Sequence, residues 1–98
     1  MKFTSTVVAK GIEILANDHY VGIPHKFAAD AKAGDIVEGK GVCLFDVDAE
    51  ANPNGTVVAH GFINVAKLDE NQKPSAAQIA ALPMIAWLNG DGTIFAGK

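Results

Sequence analysis

The residues best suited by type and spacing to do chemistry in this chain are two aspartates and a histidine. Asp46 and Asp48 stand in the run Gly-Val-Cys-Leu-Phe-Asp-Val-Asp, and His60 stands in Val-Val-Ala-His-Gly-Phe-Ile-Asn. Two carboxylates facing an imidazole across a strand pair would suit a metal ion or a general acid/base. The structural reading is stronger for each residue. Asp48 enters a turn where Asx hydrogen bonds form readily, Asp46 can accept from loop N–H groups, and a strand histidine beside Gly61 can satisfy a neighbouring carbonyl. His19 and His25 sit in turn-like contexts without a partner at ligand spacing, so solvation is expected for both. The single cysteine, Cys43, excludes an intramolecular disulfide and a thiolate-rich zinc site, and its place in an apolar run predicts a buried, inert thiol. Gly39-Lys40-Gly41 lacks the spacing of a phosphate loop. The chain is expected to hold no catalytic, cofactor or metal site.

These residues are positioned by the stretch from Gly41 to Leu68, around which the rest is organised. Val42 to Val47 and Thr56 to Val65 are rich in β-branched and aromatic residues, and the turn-prone segment Asp48 to Gly55 between them contains Asn-Pro and Asn-Gly. Two strands in a hairpin are predicted. In the second strand Val57, Ala59, Ile63 and Val65 share one face, expected to be the buried one, while Val58 and Phe62 share the other with His60 and Asn64. Gly61 in mid-strand reads as a bulge or a close backbone approach.

The same residues carry a resemblance. Gly41-Val-Cys-Leu-Phe-Asp-Val-Asp48, a turn, then Val57-Val-Ala-His-Gly-Phe-Ile-Asn64 and Leu68, followed by an Ala-rich helix and an apolar strand, resembles the phage head-decoration proteins similar to that of phage lambda. The likeness covers residues 32 to 96. It implies a β-rich decoration fold and a virion protein made in the host bacterial cytoplasm that binds the exterior of the mature head and stabilises it. It further implies the major capsid protein as partner, trimers at local three-fold sites, and structural roles for Asp46, Asp48, His60, Gly61 and Asn64. A second resemblance, of Ala33-Gly-Asp-Ile-Val-Glu-Gly-Lys-Gly41 to the Gly-Asp-x-Val-x-x-Gly turn of biotinyl and lipoyl hammerhead domains, implies a small carrier or binding module. Such carriers need a modifiable lysine at the following hairpin tip, and Asp48 to Gly55 contains none.

Composition agrees with a protein that works by adhering. Its 98 residues make one domain, 49% apolar and 19% charged, so a globular rather than disordered chain is expected. The net charge of −3 includes eight lysines and no arginine. Without the planar guanidinium fork, bidentate contacts to phosphate or guanine are lacking, and nucleic-acid binding is disfavoured. No run approaches the ~20 apolar residues that span a bilayer. Nor does a leader follow Met1-Lys2, so folding in a cytoplasm is expected.

In chain order, residues 1–10 are expected to form an arm, mobile in the free protein, ahead of one β-rich domain over residues 11–98. Phe3, Thr4, Thr6, Val7 and Val8 would bind the capsid by adding a strand to an exposed sheet edge. Ile12 to Leu15 reads as a short strand, Asn17-Asp18 as a turn, and Tyr20 to Ile23 as a returning strand stopped by Pro24. Phe27 to Lys32 reads as a loop or one helical turn. Ala33 to Gly39 is turn, two-residue strand, turn, and Lys67 to Pro74 a surface connection. Ser75 and Gln78 fit a capping box opening a helix over Ala76 to Leu82, which Pro83 ends. Met84 to Leu88, the turn Asn89-Gly-Asp-Gly92 and Thr93 to Phe95 read as a second hairpin. The predicted fold is mainly β with one short helix (α+β), a small barrel or sandwich. Phe3, Phe27, Trp87 and Phe95 are candidates for an exposed apolar interface.

Overall fold

The computed structural model describes residues 14–98. The proposed arm, with Phe3, Thr4, Thr6, Val7 and Val8, lies outside the described residues, as does the start of the strand predicted over Ile12 to Leu15.

The described chain is mainly β with one short helix. Its strands are β1 (Val21–Lys26), β2 (Ile36–Val37), β3 (Gly41–Cys43), β4 (Asn54–Asn64) and β5 (Ile85–Leu88), and its helix is α1 (Ala76–Ala81). The order β1-β4-β3-β2 is antiparallel throughout, and β5 joins the far end of β4 in parallel. β4 is therefore the axis of the domain. Its first half pairs with β1 and β3, and its last residues, Gly61 to Asn64, pair with β5.

A bulge separates the two halves. Val21 stands opposite His60 but Gly22 stands opposite Val58, so Ala59 is an extra residue on β4. An extra residue breaks the two-residue alternation and turns later side chains to the other face. Val57 and Val58 are both fully buried, on opposite faces of the sheet. Val58 joins the main core with Val42, Leu44, Ile85 and Trp87. Val57 joins a smaller cluster with Phe27, Cys43 and Val47. Beyond the bulge, Ile63 and Val65 point into the main core beside Val58, which corrects the expectation that they share a face with Val57.

The hairpin of β3 and β4 forms as the sequence predicts, but the first strand is shorter. After Cys43 the chain changes partner: the Leu44 N–H still donates to Thr56 O at 3.0 Å, whereas Val47 and Ala31 exchange backbone bonds of 2.7 and 3.1 Å. The segment from Phe27 to Lys32 is thus a loop with one bridge. β1 runs through Pro24, contrary to the expected stop there. It is an edge strand, where every second N–H points away from the sheet and a proline is tolerated.

The two-residue β2 and the capping box are as predicted. Gln78 N–H donates to Ser75 Oγ at 3.2 Å, and Ser75 N–H donates to Gln78 Oε1 at 2.9 Å. The predicted surface connection from Lys67 to Pro74 is instead partly internal. It folds into two 3-10 turns that bury Leu68, Gln72 and Pro74. Thr93 to Phe95 makes a single bridge, Leu88 to Ile94, with Asn89 N–H donating to Thr93 O at 2.7 Å and Phe95 N–H to Trp87 O at 2.9 Å, rather than a full strand.

Candidate functional site

The structure does not assemble Asp46, Asp48 and His60. Asp46 Oδ1 accepts the Ala33 N–H at 2.9 Å, pinning the turn before β2 to the link after β3. Asp48 Oδ1 accepts from Glu50 and Ala51 N–H at 3.1 and 3.2 Å, closing the predicted Asx turn. His60 is on β4 next to the bulge, exposed, where it lines a groove with none of the Asp46 or Asp48 loop in it. Among the described residues no three His, Cys, Asp or Glu side chains are grouped to hold a metal ion. Asn64 is an N-cap, its Oδ1 accepting Ala66 N–H at 3.1 Å as β4 passes into a 3-10 turn. Gly61 makes a close approach: a β-carbon there would lie 2.9 Å from Tyr20 Cβ.

Cys43 is fully buried. Its Sγ–H donates to Phe45 O at 2.9 Å, and burial raises its pKa from 9.0 to about 11. A thiol so placed is neither a ready nucleophile nor a metal ligand at neutral pH. His19 is exposed, with its N–H closing the Asn17 turn at 2.9 Å, while His25 stacks edge-on against Phe27 at 4.7 Å.

An open, largely apolar groove of about 610 Å³ lies between the approach to β1, the bulged part of β4 and the approach to β5. Tyr20, Val21, Phe62 and Met84 line it, with His19 and His60. These four apolar residues are 37 to 55% exposed. Local geometry sets each one. The bulge at Ala59 turns Phe62 outward while Ile63 goes in, and Pro83 ends α1 so that Met84 enters β5 from the surface. Two exposed aromatic rings and a flexible thioether suit apolar contact with a macromolecule better than chemistry on a substrate.

The interface candidates chosen from sequence are corrected here. Phe27 and Trp87 are buried, at 8 and 2% exposure, because Phe27 caps the Val57 face and Trp87 fills the main core under β4. Phe95 is half-buried against the same core, and Phe3 lies outside the described residues. Among the described residues, Tyr20, Val21, Phe62, Met84, Ile23 and Ile94 are the large apolar side chains left exposed. One signal for Phe62 was present in the sequence: it lies between polar His60 and Asn64 on their face of the strand.

No helix among the described residues is long and apolar enough to cross a membrane. Comparison with family models, with curated proteins and with solved structures found no match to the chain.

Proposed function

We propose that the protein is a phage capsid decoration protein, a non-enzymatic virion component that binds the exterior of the mature head and stabilises it. The observation that carries this reading is the Gly41–Asp48 and Val57–Asn64 segment, which resembles that of the decoration proteins in the order of its polar residues. The work of Asp46, Asp48 and Asn64 as turn closures and caps supports a motif that serves the fold rather than chemistry. The exposed apolar groove supports an adhesive surface. The major capsid protein is the partner and trimers at local three-fold sites are the assembly, because three weak contacts held together give strong avidity. In this reading the arm over residues 1–10 contributes further contacts, and neither nucleic acid nor membrane is engaged. Mixing the purified protein with expanded heads that lack decoration, then pelleting, tests the reading. Saturable retention on heads is expected. Absence of the protein from the pellet at high excess would overturn it.

A further inference from the structure

The sequence contains three sites of the kind that rearrange through backbone attack on a side-chain carbonyl: Asn54-Gly55, Asn89-Gly90 and Asp91-Gly92. Glycine at the second position leaves the attacking amide sterically open. The structure separates the three. Gly55 lies inside β4 opposite His25, so the strand pairing holds its backbone extended, and neighbours crowd it so closely that a β-carbon would stand 2.7 Å from Phe27 Cε1 and 2.8 Å from Val47 Cγ2. Gly92 N–H is already committed to Asn89 O at 2.9 Å. The Asp91 carboxyl accepts from Thr93 Oγ1 at 2.6 Å and Thr93 N–H at 3.0 Å, bonds that lower its pKa and keep it ionised, a poor electrophile.

Asn89-Gly90 differs on every count. Gly90 is exposed at the turn, and its N–H makes no hydrogen bond, while the Asn89 side chain lies at the same turn. Its restraint is a clamp on the amide: Asn89 Nδ2 donates to Thr93 Oγ1 at 2.9 Å and to Ile94 O at 3.3 Å. We propose that Asn89 is a self-modification site of the folded protein, and that Thr93 and Ile94 hold its rate down. Hydroxide removes the Gly90 amide proton, the nitrogen bonds to Asn89 Cγ, and the Cγ–Nδ2 bond breaks with loss of ammonia. Water then opens the cyclic imide at either carbonyl, leaving aspartate or isoaspartate and one added negative charge.

The product is not neutral for the fold. A donor to Ile94 O becomes a carboxylate facing that carbonyl, with ionised Asp91 nearby, so the hold of residues 93–95 on β5 weakens.

The test incubates the full chain in warm, mildly alkaline buffer and follows peptide masses and isoaspartate content over time. Conversion at Asn89 ahead of Asn54 is expected, with conversion at least about tenfold slower in Gly90→Ala, whose β-carbon crowds the attacking amide. Thr93→Val removes one clamp bond and is expected to speed conversion about two- to tenfold, the range set by a single hydrogen bond, while Thr93→Ser restores the slow rate. Conversion at Asn54 as fast as at Asn89, or an Asn89 rate untouched by Thr93→Val, would overturn the proposal.

Discussion

The carbonyl oxygen of Val58 lies so close to the α-carbon of Gly41 that a β-carbon on that residue would overlap it. Gly41 is also buried at φ 153°, where side-chain-bearing residues are rare. The motif glycine is thus a packing requirement of the β3–β4 pair. Gly41→Ala is expected to destabilise the domain by about 3–5 kcal/mol through combined overpacking and backbone strain. Gly39→Ala, with positive φ but open space around it, should cost only about 1 kcal/mol. Denaturant midpoints of the two variants check this, and equal losses would refute the packing account.

Gln72 is the second internal tie. Its Nε2 donates to Asp35 Oδ1 at 2.8 Å and to Ala33 O at 3.0 Å, while its Oε1 accepts Asp69 N–H at 2.9 Å. One side chain thereby joins the turn before β2 to the 3-10 segment before α1. Gln72→Leu keeps the bulk but strands these partners, and a loss of about 2–3 kcal/mol is expected. Gln72→Glu, which keeps the acceptor but sets a charge against Asp35, should lose at least as much. A thermal midpoint unchanged by either substitution would show that solvent satisfies the partners instead.

What was legible in the sequence divides along physical lines. The capping box, the Asx turn at Asp48 and the two-residue β2 rest on interactions within a few residues, and the hairpin of β3 with β4 on two β-branched runs flanking a turn-rich loop, so local residue types specify them. The continuation of β1 through Pro24 depended on its becoming an edge strand, which is a property of the whole sheet. The sidedness of β4 depended on one extra residue at Ala59, visible only against its partner strand. The groove follows from that bulge, so the exposed rings at Tyr20 and Phe62 are absent from the interface candidates that the sequence offers, while two that it does offer, Phe27 and Trp87, are buried by tertiary packing.

The buried thiol makes stability fall in alkali. The folded pKa of Cys43, about 11, lies above the ordinary 9.0, so the folded chain keeps a proton that the unfolded chain releases. Stability from this group is complete below the unfolded pKa and is lost as pH rises through the folded one, by at most about 2–3 kcal/mol. Cys43→Ala should flatten the slope of unfolding free energy between pH 9 and 11 while lowering stability at neutral pH. An unchanged slope in that variant would assign the alkaline loss to lysine or tyrosine instead. A thiol reagent should label the wild-type protein only as fast as it opens.

The groove offers the most direct test of how the protein would adhere. Met84 is 55% exposed and Phe62 37% exposed in its lining, while Ile94, at 73%, is exposed elsewhere. Met84→Asp exchanges apolar surface for a charge at a site already in contact with water, so it should shift folding stability by no more than about 0.5 kcal/mol. If the groove is the face applied to the capsid, the same charge is buried without a partner on binding, and retention on undecorated heads should fall at least about tenfold. Phe62→Ser should act in the same direction through lost aromatic contact, at a somewhat larger cost to folding. Ile94→Asp serves as the control for added charge on an exposed apolar residue and should leave retention near wild type. Thermal melts and head pelleting on the same preparations separate folding from adhesion. Loss of retention in Ile94→Asp with none in Met84→Asp would move the contact face to the C-terminal segment around Ile94, and retention unaffected in all three would place it away from both the groove and Ile94.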